Sequence, residues 1–347
     1  MKLYEFISRR AARWAALLCV FSALAFAGWL MSYQELSGPE SDSGSEVVLI
    51  PHGTSVAHIG HILAQARLIH EDIRFPLYAK LAGYSKKFRA GEFRLGTGQS
   101  AVLVMRELAA APQIQYPVTI PEGLRAEEIA RIFADGGWCD YDEFLRLIHD
   151  PDFIESLGIG PVKSLEGYLY PETYYLARLS TDSRSLIRNM VHHFQKVWTE
   201  LSREGTGKLE RQEVVILASM VEKETANPVE RPLIASVFFN RMKLGMRLQS
   251  DPTVVYGIRN YSGTLTKEDL QRYTPYNTYL IPALPAAPIC NPGRDSLRAV
   301  FHPAKEGYLY FVSRNDGTHQ FSKNLAEHNQ AVQKYQKDRN IQEEGRR

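Results

Sequence analysis

The residues best suited to chemistry close one apolar stretch. Residues 214–225 read VVILASMVEKET, so the carboxyl groups of Glu222 and Glu224 follow directly on a hydrophobic run. At about 100° per residue, Val214, Leu217, Ala218 and Val221 share one stripe of a helix. Glu224 then lies about 70° from the centre of the stripe, between Leu217 and Met220, with Glu222 about 90° away on the other side and Lys223 opposite. A carboxyl held against apolar surface loses solvation of its charged form, so its pKa rises and it can stay protonated near neutrality. Such an acid can protonate the leaving oxygen of a glycosidic bond. Read alone, the triplet 222–224 is ordinarily a solvated helix end, and the wheel favours Glu224 only slightly.

The run downstream is more specific. Residues 238–257 read FFNRMKLGMRLQSDPTVVYG, followed by YNTY at 276–279, NPG at 291–293 and HPAK at 302–305. Together with VEKET, in this order and spacing, these motifs resemble the YceG-like family, and the resemblance covers most of the chain beyond the N-terminal segment. It implies a lytic transglycosylase that cuts between N-acetylmuramic acid and N-acetylglucosamine in peptidoglycan without water, the muramic C6 hydroxyl closing a 1,6-anhydro ring. It implies a catalytic glutamate at the second Glu of VEKET, Glu224. One carboxyl suffices for this: it protonates the leaving oxygen and then takes the proton of the hydroxyl. The resemblance further implies cutting within nascent glycan strands, peptidoglycan synthases (penicillin-binding proteins) as companions, and no cofactor.

Gln249, Asp251, Asn277 and Tyr279 offer amide, carboxylate and hydroxyl groups suited to recognising acetamido and hydroxyl groups of a glycan. Asp251, ahead of Pro252, suits a turn and helix cap equally well, and Asn277 and Tyr279 also suit loop packing. His302, before Pro303, reads as structural. Two rival functions remain at this point. In a glycoside hydrolase (muramidase), a second carboxylate such as Asp251 would activate water; in a non-catalytic wall-binding scaffold, the VEKET carboxyls would have no use.

These motifs need a body to position them. With 347 residues, 44% hydrophobic and 23% charged, the chain has room for two or three folded units. The net charge of +2 is spread along the chain, which argues against a nucleic-acid partner. Cys19, Cys139 and Cys290 lack metal-ligand spacing, so no metal site is expected, nor a bridge between Cys139 and Cys290. Lys2, Arg9, Arg10 and Arg13 precede an uncharged run over 14–33, long enough to cross a bilayer. We expect residues 1–13 in the cytoplasm, a single-pass inner-membrane helix at 14–33, and a periplasmic body. Ala25-Phe26-Ala27 resembles a signal-peptide cleavage site. Against cleavage, hydrophobicity continues to Met31, and Trp29 and Tyr33 suit an interfacial belt.

Residues 34–45, QELSGPESDSGS, read as a flexible linker. VLIPHG at 48–53 then recurs as VTIPEG at 118–123, and Ile59, Ile62 and Ala64 recur 70 residues later as Ile129, Ile132 and Ala134. Each copy reads as strand, turn and helix, a unit resembling LysM-type glycan-binding modules. The expected α+β organisation is a LysM-like module at 46–111, a second LysM-like unit with an aromatic segment at 112–205, and a mixed α/β catalytic domain at 206–347. Residues 165–174, LEGYLYPETY, read as a core segment or as a wall for sugar rings. Asn315-Asp316-Gly317 marks the turn of a terminal hairpin, followed by a polar helix.

Overall fold

The computed structural model describes residues 2–39, 44–203, 209–258, 261 and 263–337, with residues 2–12 as backbone alone. Linker residues 40–43, the basic side chains of Lys2, Arg9 and Arg10, and residues 338–347 of the expected catalytic domain lie outside the described part. The fold is mixed α/β and divides into two compact units, Met1–Tyr116 with Tyr175–Ser180, and Pro117–Tyr174 with Thr181–Arg347. The first boundary falls five residues beyond the expected 111. Residues 117–174 pack in the same unit as the motif-bearing region.

In the first unit, α1 (Lys2–Met31) and the turn that follows it carry one stretch, Arg13–Glu35, long and apolar enough by composition to cross a membrane. The helix expected over 14–33 ends at Met31, and both its last residues and the linker expected after it depart from their reading. Ser32–Glu35 form a 3-10 turn in which Tyr33 is wholly buried in the core of the unit, with Leu36 packed beside it. Arg74 donates to the Trp29 carbonyl (3.2 Å) and to Ser32 Oγ (2.8 Å), and its guanidinium lies over the rings of Trp29 and Tyr33. Gly38 donates to the Gln99 carbonyl, and a Cβ there would stand 2.4 Å from the Leu68 carbonyl oxygen. Composition placed Tyr33 at the membrane interface and marked 34–45 as a flexible polar linker; instead Tyr33 and Leu36 pack into the core, and Gly38 fits where a side chain would clash.

Strand β1 (Ser45–Ile50) runs antiparallel to β2 (Gly91–Gly96), with Val48 opposite Phe93. Alternation turns Val48, Ile50, Phe93 and Leu95 inward. They meet α2 (Val56–Gln65), α3 (Arg74–Leu81) and α4 (Ala101–Ala110) through Ile59, Leu63, Phe75, Val104 and Leu108. Ser55 and Ser100 cap α2 and α4 by accepting from the His58 and Leu103 amides, the expected chemistry at a helix start.

The second unit opens within β3 (Tyr116–Thr119), which is followed by a turn in which Gly123 has φ +80° and by α5 (Ala126–Asp135). This repeats the local order of β1, Gly53 at φ +76°, and α2. The partners differ: β1 pairs with β2, whereas β3 pairs with β4 (Thr173–Leu176). Between them lie α6 (Tyr141–Leu147) and α7 (Pro151–Ser156), and α8 (Ser183–Ser202) follows. Leu165, Tyr168, Leu169 and Tyr174 are buried, and the Tyr168 ring meets Phe194 edge-on at 5.0 Å, so residues 165–174 are core and not an exposed aromatic wall.

Helix α9 (Arg211–Glu224) runs through the middle, packed by α10 (Arg231–Lys243), α11 (Asp251–Gly257) and, after α12 (Lys267–Gln271), by α13 (Arg294–Phe301). All eight residues from Val214 to Val221 are buried. The helix therefore has no polar face, and the wheel could not separate Glu222 from Glu224. Strands β5 (Tyr310–Ser313) and β6 (His319–Ser322) form the expected hairpin, with Asn315 at φ +60° and Gly317 at φ +84°, ahead of α14 (Leu325–Val332). Cys139 and Cys290 are free thiols.

Candidate active site

Helix α9 ends where Thr225 turns to extended backbone, and the three charged residues before it go three ways. The Glu222 side chain is 6% exposed and accepts from Arg231 Nη2 (3.0 Å) and from the Gly293 amide (2.9 Å), joining α9 to α10 and to the NPG turn. Lys223 donates through Nζ to the Gly123 carbonyl (3.2 Å). Glu224 accepts a hydrogen bond at Oε1 from Ser250 Oγ at 2.5 Å. Burial pushes its carboxyl up to about 7; the charge of Asp251 adds to this, while the Ser250 hydrogen bond and Arg241 oppose it. A group balanced there can give up a proton and take one back at neutral pH.

The hydroxyl that holds Glu224 is itself held. Ser250 is buried, its amide donates to Thr278 Oγ1 (2.9 Å), and its carbonyl accepts from Thr253 Oγ1 (2.6 Å). Asp251, exposed at the first position of α11, accepts from the Tyr279 hydroxyl at 2.6 Å, and burial followed by this bond pushes the phenol upward. Arg241 is buried beneath, donating to the Leu248 carbonyl (2.7 Å) through Nη1 and to the Leu309 carbonyl (2.7 Å) through Nε. Gln249 sits in left-handed backbone at φ +50°, with Oε1 3.4 Å from Arg241 Nη1. Glu230 meets the Thr225 hydroxyl, the His319 amide and His319 Nδ1, which ties the hairpin to the loop leaving Glu224.

Of the residues singled out in the sequence, Glu224, Gln249, Asp251 and Tyr279 gather around this hydrogen-bonded cluster. Asn277 does not face it. Its side chain is wholly buried, donating to the carbonyls of Leu270 (3.0 Å) and Arg272 (2.8 Å) and accepting from the Tyr279 amide (2.9 Å). Its amide is fully engaged in closing the loop over 269–279, so the expectation of glycan contact is corrected.

Sequence reasoning missed Ser250 and Arg241 within its own motif, because it looked there for carboxyls and amides. It also missed Glu122. A cavity of about 360 Å³ beside Glu224 is lined by Glu122, Gly123, Glu222, Thr225 and Arg231 among others. Burial and then the charge of Glu222 push the Glu122 carboxyl upward, with Arg231 at 3.6 Å opposing. Gly293 makes room for it: a Cβ there would stand 1.8 Å from Glu122 Oε1. The signal was in the repeat, where VTIPEG carries a carboxyl at the position that holds His52 in VLIPHG.

The sequence profile of the YceG-like family matches residues 48–334. The chain is 33% identical over 317 residues to the endolytic murein transglycosylase of Bacillus subtilis (strain 168), covering 87% of this chain and 88% of that protein. It is 31% identical over 350 residues to the endolytic murein transglycosylase of Streptococcus pneumoniae serotype 2, covering 90% of this chain and 63% of that longer protein. A crystal structure of a yceG-like protein from Listeria monocytogenes is similar with a TM-score of 0.57 and 31% identity, over 84% of this chain and all of that one.

Proposed function

Because the chain belongs to the YceG-like family, we propose that it is a peptidoglycan lytic transglycosylase in which Glu224 acts first as acid and then as base. The observation that carries this is the Glu224 carboxyl, raised to about 7 by burial and held by Ser250 beside Asp251 and Arg241. Protonated Glu224 gives its proton to the glycosidic oxygen as the bond to muramic C1 breaks. The resulting carboxylate then takes the proton of the muramic C6 hydroxyl as that oxygen closes on C1, so no water enters the product. Asp251, whose carboxylate is oriented by Tyr279, supplies negative charge where the sugar becomes oxocarbenium-like. Gln249 and Tyr279 are suited to the acetamido and hydroxyl groups of the strand.

That two relatives are endolytic murein transglycosylases supports cleavage within strands. We further propose that α1 is retained as a single-pass inner-membrane anchor with its basic end in the cytoplasm, in keeping with the positive-inside rule. In this reading the first unit, with its strand-turn-helix order, is a LysM-like glycan-binding module duplicated in part at β3–α5, and the enzyme works beside peptidoglycan synthases. The test is mass spectrometry of products from purified glycan strands. Wild-type protein should leave 1,6-anhydro-muramic ends and Glu224→Gln should leave about 10²–10⁴-fold fewer. Reducing muramic ends from the wild type would make the enzyme a hydrolase and overturn the reading.

A further inference from the structure

A second cavity, of about 710 Å³, opens at the other end of α11. Seven residues at 1.5 Å rise separate it from Ser250 by about 10 Å, on the order of one disaccharide of a glycan strand. Its floor is Glu166, 6% exposed, whose oxygens accept from the Ala126 amide (3.0 Å), Asn291 Nδ2 (2.9 Å) and the Tyr256 hydroxyl (3.2 Å). Asn291 in turn accepts from the amides of Gly167 and Leu169. The floor is thus rigid, and its carboxyl is already filled with donors.

Above it the chemistry changes. The guanidinium of Arg125 lies over the Tyr256 ring at 5.0 Å, and Tyr276 meets the same ring edge-on at 4.8 Å. With one face under Arg125, Tyr256 works as the shelf for a cation more than as a platform for a sugar. A planar guanidinium backed by an aromatic ring presents its edge for paired hydrogen bonds to a carboxylate. Glu127, the acidic residue at the rim, is engaged by the Tyr141 hydroxyl (3.1 Å) and Arg131 (3.8 Å). Leu145, Ile148 and Ile258 add apolar surface to the lining, beside His149 and Ser164. A cation and aliphatic side chains in one cavity suit a short peptide bearing carboxylates and methyl groups.

We propose that this cavity receives the carboxylate-bearing peptide carried by a muramic acid one disaccharide away from the scissile bond, with Arg125 as its receptor. The inference rests on the transglycosylase reading above and adds the part of the substrate that sets position. Arg125 does no bond chemistry; it fixes where along the strand Glu224 acts.

The test compares two substrates with the full-length protein: glycan strands carrying their peptides, and the same strands stripped of peptides by an amidase. Wild type should show higher kcat/KM on peptide-bearing strands. Arg125→Gln should lower that value about tenfold and shrink the preference by the same factor, since a hydrogen bond to a charged group is being removed. Arg125→Lys, which keeps charge without the fork, should fall between them. A wild type without preference, or an Arg125→Gln that loses activity equally on both substrates, would overturn the proposal, the second by reducing Arg125 to a support for Tyr256. Absence of anhydro products from both substrates with wild type would instead sink the transglycosylase reading, and this inference with it.

Discussion

Ser250 Oγ donates to Glu224 Oε1 at 2.5 Å, joining two residues 26 positions apart in sequence. Burial favours the neutral acid and the hydroxyl favours the carboxylate, so the two effects are opposed at one atom. Removing the donor leaves burial less opposed. Ser250→Ala should therefore move the Glu224 pKa further upward, and with it the basic limb of the pH–rate profile. A net hydrogen bond to a charged group is worth about 1.5–3 kcal/mol, and one pKa unit is about 1.4 kcal/mol, so the limb should move by about one unit or more. A kcat/KM profile between pH 5 and 9 reads this directly, and an unmoved limb would separate Ser250 from the titration of Glu224.

The neighbouring carboxyl predicts the opposite phenotype. Glu222 is the close partner of Arg231, so Glu222→Ala leaves a guanidinium whose side chain is 7% exposed with only the longer contacts to Glu122 (3.6 Å) and Asp295 (3.9 Å). Leaving a buried charge wholly unpaired costs about 3–5 kcal/mol; with two carboxylates remaining the loss should stay below that, and for a unit of this size each 1 kcal/mol lowers Tm by roughly 2–4 °C. Glu224→Gln should leave Tm near wild type, because an amide is close in shape to the protonated acid, while turnover falls by about 10²–10⁴. Scanning calorimetry beside a muropeptide release assay distinguishes the two residues.

Stability should also depend on pH with a definite sign. Glu224 and Glu166 are both raised from the ordinary 4.5 to about 7, chiefly by burial. A carboxyl whose folded pKa is raised binds its proton more tightly when folded, so its contribution is full below about 4.5 and is lost as pH climbs to about 7. Unfolding free energy should accordingly fall between pH 5 and pH 8, by on the order of 2–3 kcal/mol for each group. Glu166→Gln, keeping shape without the titrating proton, should flatten this slope by about half. Denaturant melts at the two pH values measure it; a slope unchanged by the substitution would leave Glu166 outside the effect.

Asn277→Ala should act on the fold before it acts on binding. The substitution removes the donor to the Leu270 and Arg272 carbonyls and the acceptor of the Tyr279 amide. Unsatisfied buried groups cost about 1–3 kcal/mol each, so the loop over 269–279 should loosen, with faster amide exchange at Tyr279. Activity should fall through kcat, because Tyr279 loses its hold on Asp251, and KM should change less. A pure KM effect with unchanged exchange would return Asn277 to the glycan.

The terminal hairpin was legible because Asn315-Asp316-Gly317 needs only local backbone preferences to turn, and the strand-turn-helix starts were legible because Ser55, Ser100 and the Pro-x-Gly turns act over a few residues. The membrane-length run was legible from composition. Of the candidate site, Glu224, Gln249, Asp251 and Tyr279 were named from the sequence, but not their arrangement, and their roles stand as proposed above. The choice between Glu222 and Glu224 lay beyond any wheel, since α9 is buried on every side and what separates the two is a partner: Arg231 for one, Ser250 for the other. Glu122, Arg241 and Ser250 reach the site from segments up to about a hundred residues away, and Asn277 turns out to be a brace. Local propensity and hydrophobic period are properties of neighbours in sequence. The pKa of a carboxyl and the use of an amide depend on which groups the packed chain brings within about 3 Å, and that only the tertiary structure decided.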